Sequence, residues 1–123
     1  MSPDILLNVI ENLKTKYNLT EYQIKQLSKS MKTWKLNDRV YPSALKSRIN
    51  VDIVTMYKIL EEIKDMGILE TNYEVYCFEC SRFKGKLLRT LTDMPEDLTC
   101  DFCNHTFDPL EDTIKIYRVI KDE

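Results

Sequence analysis

Several things are scarce or missing in this sequence. Two glycines and four prolines among 123 residues are too few for a linker-rich or disordered chain. No apolar run approaches the roughly 18 residues a membrane-spanning helix needs, so no membrane partner is expected. Histidine occurs once, at position 105. There is no glycine-rich phosphate loop and no paired Ser/His/Asp set, which leaves the chain without recognisable catalytic machinery. A non-enzymatic protein with no small-molecule substrate is expected. The opening stretch MSPDILLNVIENLK carries an acid where a secretory leader carries basic residues, and it has no small-residue cleavage site. A cytoplasmic location is the corresponding expectation. No internal repeat or low-complexity segment interrupts the chain.

The composition is that of a globular protein, with 43% apolar and 31% charged residues, long enough for one domain or two small ones. The net charge is only −2, but it is unevenly spread. Residues 12–50 hold nine Lys or Arg against Glu21 and Asp38, a balance of +7, whereas residues 51–123 balance to −7. A basic first half can attract phosphate backbones or an acidic protein. It can equally be a solvated helical face.

The first half has helical periodicity. Residues 3–17 place Ile5, Leu6, Val9, Ile10, Leu13 and Tyr17 on one stripe behind Ser2 and Pro3. Thr20 with Gln23 three residues later forms a capping box ahead of Ile24, Leu27, Met31 and Trp34. That helix should fade between Lys35 and Asp38. Pro42 opens a short helix bearing Ala44, Leu45 and Ile49, and Asn50 suits the left-handed backbone of a tight turn. Asp52 then caps a helix expected to bury Ile53, Met56, Tyr57, Leu60 and Ile63, with Gly67 as its stop. Near residue 68 the period changes to that of strands. Tyr73, Val75 and Cys77 alternate with polar neighbours, and LLRTL (87–91) and TIKIYRVI (113–120) are the other strand candidates. Glu70 to Tyr73 reads as a very short turn. The expected class is α+β, with a helical domain over 1–74 and a small β module with a C-terminal strand over 75–123.

All four cysteines fall in two pairs, Cys77-x2-Cys80 and Cys100-x2-Cys103. In a reducing compartment this spacing reads as a four-thiolate metal site. Two residues between cysteines let both sulfurs of one turn reach a single ion. Two such turns complete a tetrahedron and leave no open position for water or substrate. One structural Zn2+ is the expected cofactor, and iron is compatible with the same ligands. Metal binding must then supply part of the folding energy of a module too small to bury much apolar surface. A redox Cys-x-x-Cys would lead into a helix, which CFECSRFKGK does not, and a zinc deaminase would leave Cys80 idle. His105 could replace a ligand, but four cysteines suffice, so it is expected at the surface or beside the ligands.

Candidate nucleic-acid contacts follow from the cations. Lys29, Lys32, Lys46 and Arg48 can approach phosphates, Thr55 and Lys58 lie on the outward face of the capped helix, and Arg82, Lys84 and Lys86 flank Phe83 after the first cysteine pair. Cations beside a four-thiolate site can also simply offset its charge. The short helix, tight turn, longer helix and strand over about 20–76 resemble the winged helix-turn-helix superfamily. Followed by the two Cys-x-x-Cys knuckles, the layout resembles that of the alpha subunit of general transcription factor E. That resemblance implies a winged helix approaching DNA, with Cys77, Cys80, Cys100 and Cys103 as structural zinc ligands. This chain departs from the pattern in its very short wing, the lack of glycine after either pair, and the lack of a long linker helix. The two functional expectations are a nucleic-acid-associated regulator and, alternatively, a protein–protein adaptor subunit. A protein partner or a homodimer formed through the 3–17 stripe is compatible with either.

Overall fold

The computed structural model describes residues Met1–Glu123. Four helices and a four-stranded antiparallel sheet give the α+β class expected. The helices are α1 (Pro3–Tyr17), α2 (Glu21–Lys32), α3 (Pro42–Ile49) and α4 (Ile53–Asp65). The strands are β1 (Arg39–Val40), β2 (Leu69–Cys77), β3 (Arg82–Leu88) and β4 (Thr113–Val119), in the sheet order β1-β4-β2-β3. No helix is long and apolar enough to cross a membrane.

Two compact units result: Met1–Glu70 with Tyr117–Glu123, and Thr71–Ile116. These boundaries differ from a contiguous division at residue 74, because the chain's last strand ends among the helices. Tyr117 and Val119 are fully buried in the helical unit's core. The Tyr117 hydroxyl donates to Glu61 Oε2 at 2.8 Å, which satisfies the one polar atom of a large buried ring.

The helical unit starts its helices where the sequence signals them, although α2 ends at Lys32, with Thr33 as its cap, short of the expected Lys35–Asp38 and with Trp34 beyond it. Thr20 and Gln23 cap α2 reciprocally, the Thr20 Oγ1 accepting from the Gln23 N–H at 3.1 Å and Gln23 Oε1 from the Thr20 N–H at 2.9 Å. Asn18 and Asn50 end α1 and α3 in the left-handed region, at φ 51° and 61°, and Asp52 accepts the Thr55 N–H at 2.7 Å. Val9 and Leu13, Leu27 and Met31, and Ile49 pack on Met56, Ile59, Leu60 and Ile63 of α4, all without solvent exposure. The α4 face is rotated from the expected one. Ile53, at the first helical position, is 38% exposed, and Ile59 takes the buried place.

The sheet also differs from the sequence reading. Leu69–Cys77 is one continuous strand, so there is no turn at Glu70–Tyr73. The second strand is Arg82–Leu88 rather than 87–91. Gly85 adopts φ 76° and the pairing shifts register between Glu74 and Tyr76, so a bulge interrupts the alternation that would have revealed this strand. In β4 the neighbours Ile116 and Tyr117 are both buried, one in each unit, which breaks the simple alternation expected there. Arg118 stands opposite Arg39 across the β1–β4 pair. Two such cations would repel, but Arg118 is held by Glu70 Oε2 at 2.6 Å and by Asn37 Oδ1 at 2.6 Å.

Gly67 has φ 81° and open space where a Cβ would stand. Gly67→Ala should therefore cost only backbone strain, about 1–2 kcal/mol. Leu60→Ala, which empties a fully buried site, should cost about 2–5 kcal/mol. Denaturant unfolding of the two variants checks this ordering.

Candidate metal centre

Both cysteine pairs sit on turns that the local sequence dictates. β2 ends at Cys77, the chain reverses through Phe78 and Glu79, and Ser81 at φ 56° carries it past Cys80 into β3. The second pair lies on a tighter hairpin. Asn104 donates to the Cys100 carbonyl at 2.9 Å, Cys100 donates to that of His105 at 2.8 Å, and Phe107 donates to that of Leu98 at 2.9 Å. Asn104 has φ 61°. Ser81 and Asn104 thus take the left-handed positions after each pair, a task that does not require glycine. Beneath the turns, Val75, Leu88, Met94 and Phe107 pack with Cys77 and Cys100 in a small core of their own.

The four sulfurs lie within 4.8 Å of one another. Cys77 Sγ is 3.5 Å from Cys103 Sγ, and Cys80 Sγ is 3.8 Å from Cys100 Sγ. A tetrahedron with metal–sulfur bonds of about 2.3 Å has edges of about 3.8 Å. A disulfide would need about 2.05 Å, and all four cysteines are free. The separations therefore fit one tetrahedrally held ion, and the four residues can bind a metal such as zinc.

The thiols ionise unequally. Burial opposes ionisation at Cys100, yet the N–H groups of Cys103 and Phe102 hold its thiol down at about 6. Cys80 is pushed up to about 12, by burial first and then by hydrogen bonding to Cys77 and Cys100. At Cys103 the His105 N–H favours the thiolate, but burial and the contacts with Cys77 and Cys100 outweigh it and raise the thiol. The cluster is built to share protons until a cation replaces them.

His105 is not a fifth ligand. Its Nε2 lies 3.0 Å from Asp112 Oδ2, and that same buried carboxylate oxygen accepts the Asp108 N–H at 2.8 Å. The imidazole thereby ties the second hairpin to the Asp108–Asp112 turn, a role with no signal in a lone histidine. Lys84 pairs with Asp101 at 2.9 Å. Its ammonium is raised by that carboxylate first, burial opposing, and by the Cys100 sulfur after it, so it offsets the site's negative charge.

The remaining candidates are dispersed. Arg82 stacks over the Phe102 ring at 4.0 Å, and Lys86 is exposed. Phe83 lies edge-on to Tyr76 at 4.9 Å, and Tyr76 to Phe78 at 4.7 Å. Lys29 and Lys32 are exposed in the last turn of α2, and Lys46 and Arg48 occupy the last turn of α3, where cations also complement the helix dipole. On α4, Lys58 is exposed and Thr55 half-buried. Comparison with protein-family models, with curated proteins and with solved structures returns no match.

Titrating the metal-free chain with Co2+ should give one ion per chain with the strong sulfur-to-metal absorption of a four-thiolate site. Cys80→Ser should remove that signature or weaken binding at least tenfold. Because Cys80 is protonated at neutral pH, binding must release protons, and affinity should rise steadily from roughly pH 6 to 8. Removing the metal should expose the amides of Thr71–Ile116 to hydrogen exchange while those of α4 stay protected.

Proposed function

We propose that the protein is a non-enzymatic nucleic-acid-associated regulator of winged helix-turn-helix type, with one structural zinc ion. The supporting topology is α3, a left-handed turn at Asn50, and α4, followed by β2 and by a returning strand, β4, that pairs with β1. In this reading the zinc module fills the connection between β2 and β4, where a wing has its tip, instead of following the winged helix as a separate ribbon. A site with four sulfur ligands has no vacancy for chemistry, so the metal serves the fold.

The observation that carries the reading is a set of cations outside any salt bridge. Lys29, Lys32, Lys46, Arg48 and Lys58 form no salt bridge, Lys58 acting on the Asp52 carboxylate only through its charge, whereas Lys16, Lys64 and Arg118 of the same unit pair with Glu62, Glu61 and Glu70. Five cations on three successive helices are suited to phosphate contact.

The second reading, an adaptor, has its own support. The Thr71–Ile116 unit holds five Lys or Arg against nine Asp or Glu. It also exposes Phe78, Phe83 and Phe102 by 55%, 45% and 64%. Solvated aromatics on an acidic unit suit a protein partner.

Fluorescence polarisation with a random duplex decides between the readings. Five phosphate contacts predict roughly a twentyfold loss of affinity for each doubling of salt, and the Lys46→Glu/Arg48→Glu double variant should lower the salt slope by about two. No binding even at low salt would overturn the nucleic-acid reading and leave the adaptor.

A further inference from the structure

The helical unit contains a cavity of about 320 Å³, of whose lining the nucleic-acid reading uses only Arg48. Its walls come from the end of α2 (Ser30, Thr33), from Trp34, from Asp38 and β1 (Arg39, Val40), and from α3 (Tyr41, Ala44, Leu45, Arg48). The lining holds Arg39 and Arg48 against the single acid Asp38, so it is net cationic. That carboxylate is partly committed, since Asp38 Oδ2 accepts the Lys35 N–H at 2.9 Å.

Arg48 has no carboxylate partner, and its one hydrogen bond is a long one, 3.5 Å from Nη1 to Ser30 Oγ. Ser30 is 4% exposed, and its hydroxyl oxygen only accepts there. Its hydrogen is therefore available to an acceptor inside the cavity. The first turn of α3 adds a helix N-terminus with no side-chain cap, and Pro42 opens it. A guanidinium fork, a buried hydroxyl with a proton to give and an uncapped helix start all look for one kind of guest, a multivalent oxyanion.

We propose that this cavity binds a phosphoryl group, with Arg48 and Arg39 as its charged ligands and Ser30 as a hydroxyl donor. A phosphoryl group offers tetrahedrally disposed oxygens that a fork and a hydroxyl can share, which a planar carboxylate does less well. The cavity exceeds the volume of one phosphate, so the group belongs to a larger molecule, either a free phosphorylated compound or a nucleic-acid backbone. The assignment goes beyond the regulator reading, because it holds for either source.

Trp34, the only tryptophan, lines the cavity and is 7% exposed, so its fluorescence reports occupancy. Titration of the full chain with pyrophosphate at constant ionic strength should give a saturable change that sodium chloride does not. Arg48→Gln should weaken it at least about tenfold, as expected for a lost charge-assisted contact. Arg48→Lys should lose part of it, because the charge remains but the fork does not. Lys14→Gln, on α1, should leave it unchanged, and thermal melting confirms that each variant is folded. Competition then separates the sources. A duplex that displaces pyrophosphate identifies a strand backbone, and pyrophosphate binding untouched by duplex identifies a free compound. No saturable change, or an equal change in Arg48→Gln, overturns the proposal whether or not the duplex binds elsewhere.

Discussion

Four thiols within 4.8 Å of one another set the constraint on which the second unit rests. Two thiolates about 4 Å apart repel by about 4 kcal/mol at an effective dielectric of 20, so the set cannot ionise together without a cation. Left metal-free, the cluster divides its protons, with Cys100 ionising well before Cys80. A divalent ion turns that repulsion into four attractive contacts. The small core under the turns, Val75, Leu88, Met94 and Phe107 with two of the cysteines, is too slight to hold the hairpins alone. Packing and coordination are therefore two parts of one folding free energy.

The two units differ in what they offer a partner. The helical unit commits Lys16, Lys64 and Arg118 to internal pairs and leaves five cations on α2 to α4 without them. The metal unit does the reverse. It uses Lys84 against Asp101 and Cys100 and Arg82 against Phe102, while its aromatic rings stay in water. Cations without salt bridges on the helices, and exposed aromatic rings beside the cysteine turns, give the two units different surface chemistry. β3 is at the end of the sheet. Its bulge and its lysines, Lys84 and Lys86, discourage another strand from pairing there.

The helices were legible because their signals are local. A capping box at Thr20, an αL asparagine at Asn50 and a stop at Gly67 each act within one turn of chain, and the structure uses all three. The metal ligands were legible because their spacing encodes a geometry, and the sulfurs indeed converge. What stayed hidden depends on residues far apart in sequence. β3 was misplaced because Gly85 bulges out of its register with β2. The burial of both Ile116 and Tyr117 follows from β4 serving two cores in turn. His105 acquires its partner only when the Asp108–Asp112 turn closes. The cavity needs α2, β1 and α3 together, so no window of sequence announces it.

β4 also makes a long-range connection in the helical unit. The helix–helix contacts join neighbours along the chain and form on the fast timescale of local structure. The pairing of Arg39 with Arg118 and of Val40 with Tyr117 spans most of the sequence and so carries a large loop-closure cost. The helical core is therefore complete only with the chain's last strand, which supplies the buried Tyr117 and Val119. An ion held by the four cysteines would tie together the chain between β2 and β4 and so shorten the effective loop that β4 closes on its return to β1.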